Sequence, residues 1–288
     1  MRPACKSVWL AAIAAALPVL AVAAGASALL LLSADAISAT SVTSAATQAS
    51  ACKGKIYLTF DTGSQSQAEL IATSLRRHHI KATFFLANEK TVKGDYSLDP
   101  AWGAYWKQLV ADGHAFGTHT FDHVYAVRDL ADGRIAVKPQ FGAQAGQHIV
   151  WTAEQYCNEL KRVDQRFEQL TGRKLDPFWR APGGKLTPNL LKAGQACAYA
   201  HVGWDPAGFS GDELPSEKWS NPVLLQRALS QLTDGDIFMA HLGIWSRKQA
   251  WMPENLEPLI SGLEQKGFCF ATLREHPRYR LKSANQAN

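Results

Sequence analysis

Two histidines four residues apart, His119 and His123, have the spacing that can bring two imidazoles onto one cation. The chain holds further side chains fit for acid–base work. Asp61 sits in Thr59-Phe60-Asp61-Thr62-Gly63, and Arg180 opens Arg180-Ala181-Pro182-Gly183-Gly184. Asp205 follows Trp204, Asp212 lies a little further on, and His241 ends Phe238-Met239-Ala240-His241. A carboxylate can take a proton from water, and an imidazole that titrates near neutrality can deliver one. A guanidinium can hold a neighbouring carboxylate ionised through charge-assisted hydrogen bonds. Each residue alone also has a plainer role: Asp61 as a turn acid, Arg180 on a surface turn, His241 as a satisfied core histidine. Their common placement along the fold decides between these roles.

That placement follows from an alternation of short apolar runs with amphipathic segments. Strands are expected over Lys55–Phe60, Lys81–Leu86, His114–Gly117, Phe178–Trp179, Ala198–Val202, Ile237–Ala240 and Phe268–Thr272. Helices are expected over Gln67–His79, Pro100–Asp112, Thr152–Thr171, Thr187–Ala196, Pro222–Leu232 and Leu256–Lys266, with Thr187-Pro188 pairing a cap with a proline at the first helical position. Val127–Val150, with Gly133, Pro139, Gly142 and Gly146, reads as an inserted irregular loop. Strands separated by helices imply a parallel sheet covered by helices. The expected fold is α/β, a distorted (β/α) barrel of about seven parallel strands in a single domain, with an open doubly wound sheet as the rival. On this scheme Asp61, the two histidines, Arg180, Trp204 with Asp205, and His241 all follow strand ends. In a parallel barrel those ends share one rim, where active sites form.

The set resembles the polysaccharide deacetylases with NodB homology, the carbohydrate esterases of family 4, over roughly Lys55–Leu273. The family's first motif, Thr-Phe-Asp-Asp-Gly, matches Thr59–Gly63 except at Thr62, and its second, His-Ser/Thr-x-x-His, matches His119–His123 in full. Its third, Arg-x-Pro-x-Gly, is Arg180–Gly184; its fifth, Leu-x-His, is Met239–His241; its fourth is loosely matched by Trp204–Asp212. The resemblance implies metal-assisted removal of an N-acetyl group from an amino sugar of a polysaccharide. It casts His119 and His123 as ligands of a divalent metal, zinc first, Asp61 as general base, and His241 as general acid toward the leaving amine. Arg180 would hold Asp61, Asp205 or Asp212 would orient His241, and a backbone N–H at Thr62 or Gly63 would face the developing oxyanion. Trp204, Trp245, Pro182 and Gly183 are the expected substrate contacts. Among the other tryptophans, Trp102, Trp106, Trp151 and Trp251 could stack on sugars or fill the core.

In most of that family the second aspartate of the first motif is the third metal ligand, and a neutral hydroxyl is a far poorer donor. Thr62 therefore leaves three outcomes: a weaker two-histidine site completed by water, help from Asp122 inside the second motif, or loss of activity. Loss would leave a glycan-binding protein on the same fold; hydrolysis of a small amide is the remaining rival.

Composition bounds these readings. Of 288 residues 47% are hydrophobic and 19% charged, and the net charge of +5 is spread without basic runs, which argues against nucleic acid as a partner. Arg2 and Lys6 precede an uncharged stretch from Val8 to Leu32, the order of a secretory signal, and Ala34-Asp35-Ala36 offers a cleavage site. Residues 1–36 are thus either a cleaved signal or an N-terminal membrane anchor, placing the rest in the periplasm or cell envelope. Residues 37–52 form an Ala/Ser/Thr-rich tether, 53–276 the deacetylase-like domain, and 277–288 a tail. In an oxidising compartment the four cysteines after the apolar stretch either pair, as Cys52 with Cys269 and Cys157 with Cys197, or stay buried thiols. Oligomeric state is not legible.

Overall fold

The computed structural model describes residues 52–252 and 254–280. In chain order the strands are β1 (Gly54–Asp61), β2 (Thr83–Leu86), β3 (Ala115–Thr118), β4 (Tyr125–Asp129), β5 (Ile135–Lys138), β6 (Ile149–Trp151), β7 (Phe178–Trp179), β8 (Ala200–His201), β9 (Ile237–His241) and β10 (Phe268–Phe270). The helices are α1 (Ala68–Arg77), α2 (Gly103–Ala111), α3 (Ala153–Thr171), α4 (Pro188–Ala196), α5 (Asn221–Gln231) and α6 (Leu256–Gln265). Seven strands, β1–β3 and β7–β10, form one curled parallel sheet, the distorted barrel expected from the alternation of strands and helices.

β1 is the hub of that sheet. Its end, Thr59–Asp61, pairs with Thr83–Phe85 on one side, while Tyr57–Asp61 pairs with Ile237–His241 and Gly54–Ile56 with Phe268–Phe270. Every residue of β1 except Lys55 is buried, as a central strand covered on both faces requires. Side chains alternate across it. Ile56, Leu58 and Phe60 pack with Leu75 and Leu259 from the covering helices, whereas Tyr57 joins Phe85, Phe178 and Val202 inside the curl. Asp61 shares the parity of Tyr57 and so ends the strand on the inner face. Between β8 and β9 the ladder is carried by the segment 205–210: Asp205 N–H donates to Ile237 O at 3.2 Å, and Ser210 N–H to Met239 O at 3.1 Å.

Helix ends follow local chemistry. Thr152 and Gln155 form a reciprocal capping box at the start of α3, and Gly172, at φ 75°, closes it in the left-handed conformation. The Thr187 hydroxyl accepts from Leu190 N–H at 3.3 Å with Pro188 at the first helical position.

The stretch 127–150 departs from the irregular loop expected of it. β4, β5 and β6 make a three-stranded antiparallel sheet that buries Ile135 and Val137 with Trp151, Tyr156 and Trp179. The glycines and proline lie in its turns, and the alternation of β5, too short to stand out beside them, builds the strand. Packing also runs past residue 276, where the tail was set: Tyr279 is buried against Phe178. Both disulfides are formed as Cys52–Cys269 and Cys157–Cys197, joining the start of β1 to β10 and α3 to the end of α4. The expected export segment 1–36, most of the expected tether and residues 281–288 lie outside the described residues; among the described residues no helix is long and apolar enough to cross a membrane.

Candidate active site

The C-terminal ends of β1, β3, β7 and β9 surround a cleft of about 250 Å³ whose walls include Asp61, Gly63, His119, His123, Gly183, Trp204 and His241. Asp61 and His241 are direct register partners on adjacent strands. Asp61 is buried, and its Oδ1 accepts from Arg180 Nη1 at 2.7 Å. Arg180 is wholly buried, donating through Nε to Val202 O at 3.2 Å and Nη2 to Gly203 O at 3.0 Å, with its guanidinium 4.1 Å from the Phe85 ring centre. The planar fork is thereby fixed, leaving Asp61 Oδ2 toward His119 Nε2 at 3.6 Å. Burial pushes the Asp61 carboxyl up, but Arg180, His119 and His241 together hold it below the usual range, so it is ionised at neutral pH.

His241 is biased the other way. Its Nδ1 lies 3.0 Å from Asp212 Oδ1, and its backbone N–H donates to Asp212 Oδ2 at 2.6 Å, so one carboxylate grips both ring and main chain. Burial lowers the imidazole pKa, yet Asp212, Asp61 and Glu213 outweigh it and raise the value to about 9. Asp205, the other candidate for orienting His241, is spent elsewhere: it accepts from Ile237 N–H at 2.8 Å and anchors the start of β9.

The two histidines meet in a turn, unlike the helical arrangement usual for an i, i+4 pair. Thr120 and His123 take positive φ of 62° and 47°, bringing the rings to 5.0 Å between centres. His119 Nδ1 lies 3.0 Å from Arg180 O, which can only accept, so Nδ1 carries the hydrogen and Nε2 keeps its lone pair. Burial drives the His119 pKa down to about 3, and the ring is neutral. Two imidazoles beside a carboxylate are donor types that suit a borderline divalent ion. Among the described residues no three His, Cys, Asp or Glu side chains stand close enough together to enclose one.

Other expectations separate here. Asp122 is held by Arg162 Nη1 at 2.8 Å and is absent from the cleft wall, so it does not stand in for the missing carboxylate. Pro182 is buried beneath the wall that Gly183 forms. Trp102, Trp106, Trp151 and Trp251 are core side chains, whereas Trp204 and Trp245 line the cleft, Trp245 with 61% of its surface exposed. The Thr62 N–H donates to Phe85 O, leaving Gly63 as the backbone position on the wall. A Cβ at Gly63 would come within 2.4 Å of Gly243 O, and its φ of 128° also requires glycine. Glu89, Tyr125 and Glu213 also line the wall. Sequence reasoning missed them because they lie outside the motifs, with no spacing to mark them.

Comparison with known proteins bears on the family and the fold. A family model described as polysaccharide deacetylase matches residues 48–202. A peptidoglycan-N-acetylglucosamine deacetylase of Bacillus cereus is 24% identical over 229 residues, covering 78% of this chain and 89% of its own. A family 4 acetyl xylan esterase from Clostridium thermocellum, solved in complex with a cobalt ion, superposes with TM-score 0.58 at 19% identity, over 76% of this chain and 88% of that one. A pseudoenzyme of the same family from Bacillus anthracis gives TM-score 0.57 at 18% identity, over 78% and 65%. With more than half of its length matched by the family model, and with the fold of these neighbours, the chain belongs to the polysaccharide deacetylase family.

Proposed function

We propose that the protein hydrolyses N-acetyl groups from amino sugars of an extracytoplasmic polysaccharide, peptidoglycan foremost, using a divalent ion, preferably zinc, held by His119 and His123. The observation that carries this reading is the facing pair on β1 and β9: an ionised Asp61 and a proton-holding His241, whose surroundings push them in opposite directions. The chemistry such an ion supplies is Lewis acidity toward the amide carbonyl and a lowered pKa for water.

The chain's own groups do the rest. Asp61, pinned by Arg180 through Oδ1, uses Oδ2 to take a proton from the attacking water as its oxygen bonds to the acetyl carbon. His241, with Nδ1 turned to Asp212, delivers the Nε2 proton to the amide nitrogen as the C–N bond breaks. An amide anion is too poor a leaving group to depart without it. Free amine and acetate result. Trp204 and Trp245 offer faces on which sugar rings can stack, with Tyr125 beside them. Two disulfides support an oxidising compartment, and the Bacillus cereus relative's name supports peptidoglycan.

Acetate release from N-acetylated peptidoglycan fragments and chitooligosaccharides, with metal content measured on the same sample, tests the reading. Asp61→Asn and His241→Ala should each lower turnover by at least about 100-fold with the fold intact. Glycan affinity without acetate release would replace the enzyme by a binding protein, as in the Bacillus anthracis neighbour's class.

A further inference from the structure

The small antiparallel sheet β4–β6 has no part in the chemistry above, yet it stands beside the cleft. Alternation along its strands sorts the side chains. Val124, Ala126, Ile135 and Val137 turn into the core with Trp179, so Tyr125 and Lys138, register partners on β4 and β5, share the opposite face. That face forms one wall of a second groove, of about 740 Å³, and Gly184 and Lys185 form another.

Groove and cleft are joined. Tyr125 lines both, and the consecutive Gly183 and Gly184 line the cleft and the groove respectively. The backbone passes there between two aromatic rings: a Cβ on Gly183 would come to 3.0 Å from Tyr125 Cε1, and one on Gly184 to 2.9 Å from Trp204 Cη2. A glycan whose reacting unit lies at Asp61 and His241 enters the groove if it continues past Tyr125.

The two sides of Tyr125 differ in charge. Asp61, Glu89 and Glu213 line the cleft, whereas the groove is lined by Lys138, Lys185 and His148 and by no acid. Among the described residues the lysines in ion pairs are Lys55 and Lys248, so neither groove lysine is neutralised by a carboxylate of the chain. Asp129, at the end of β4, is turned to α4, where its Oδ2 accepts from Asn189 N–H at 2.9 Å. Both lysines are held in place. Lys138 is half-buried on β5, and Lys185 Nζ lies 4.3 Å from the centre of the Tyr125 ring.

A neutral polymer of N-acetylated sugars offers these lysines no counter-charge. A polymer with a carboxylate on the unit beside the reacting sugar does, through charge-assisted hydrogen bonds. We propose that the groove is a subsite for an anionic unit of the glycan, in which Lys138 and Lys185 bind a carboxylate carried by the sugar next to the one deacetylated or by a peptide attached to it. The inference deepens the deacetylase reading above and rests on it for the position of the reacting sugar.

The test is glycan binding to the full chain by calorimetry, with acetate release followed on the same samples. The probes are peptidoglycan oligomers with and without peptide stems, the same oligomers with their carboxylates amidated, and neutral chitooligosaccharides of equal length. The parent should bind the free-carboxylate oligomers about 3- to 10-fold more tightly than the amidated ones, and added salt should erase that preference. Lys138→Gln combined with Lys185→Gln should bring the two affinities to parity. Lys107→Gln combined with Lys161→Gln, which removes the same charge from exposed positions on α2 and α3, should keep the preference. Thermal unfolding checks that each variant is folded. Equal affinity for the two forms in the parent, or a preference that survives loss of both groove lysines, would overturn the subsite. A lysine-dependent preference supports it, and stem-free against stem-bearing oligomers tells whether sugar or peptide carries the carboxylate. Such a preference without acetate release from any probe would sink the deacetylase reading and leave the subsite as a binding site. A chain with no affinity for any of the glycans would overturn both.

Discussion

Asp212→Asn isolates the group that keeps His241 charged. The substitution preserves size and one oxygen but removes the negative charge 3.0 Å from Nδ1. With Asp212 in place the His241 pKa is about 9, against an ordinary 6.5; burial, left with less opposition, returns it to 6.5 or lower in the variant. At pH 8 the protonated fraction falls from about nine-tenths to about 3%, roughly a 30-fold loss of competent acid, while at pH 6 about three-quarters of the variant's rings stay protonated and the loss is only about 1.3-fold. A pH profile of kcat/KM for acetate release reads this as an alkaline limb moved down by about two units or more. A variant slowed equally at every pH, with its alkaline limb unmoved, would refute the role given to Asp212. The same pair affects stability. Because the folded-state pKa lies above the unfolded value, its contribution is complete below about pH 6.5 and is lost as pH rises through about 9, a change of about 3 kcal/mol in the parent that Asp212→Asn removes.

Three further outcomes are expected. Arg180→Met leaves Asp61 buried and unpaired and should destabilise the protein by about 3–5 kcal/mol in denaturant unfolding, with much of the loss relieved when Asp61→Asn is added. Trp245→Ala, removing a wall residue that is 61% exposed, should raise KM for oligosaccharides about 2- to 10-fold with kcat and stability nearly unchanged. Replacing Cys52 and Cys269 by serine opens a link across 217 residues and should cost about 2–5 kcal/mol of unfolding free energy.

The residues of the cleft were legible in the sequence to the extent that strand ends carried them. Asp61, Arg180 and His241 end or follow apolar runs whose parallel pairing could be inferred, and the rim followed from the topology. The choice between Asp205 and Asp212 was not legible, because it turns on which acid reaches the start of β9 at Ile237 and which reaches its end at His241, a matter of register between segments distant in sequence. Glu89 left no mark for the same reason: its partner Thr62 follows β1, 27 residues away, and no local period links them. The small antiparallel sheet was hidden because glycines and Pro139 dominate a stretch whose strands are only three to five residues long.

The arrangement around β1 also sets an order of events. Its two late partners, β9 and β10, are the last strands of the described chain, so the hub strand waits through nearly the whole length of the polypeptide for its neighbours. Pairings of such long range form slowly, and synthesis proceeds at only about 5–20 residues per second. A nascent or truncated chain ending before Ile237 has an open edge on β1 and no His241 beside Asp61. The pairing of Asp61 with His241 and the sealing of the sheet therefore arrive in the same late step.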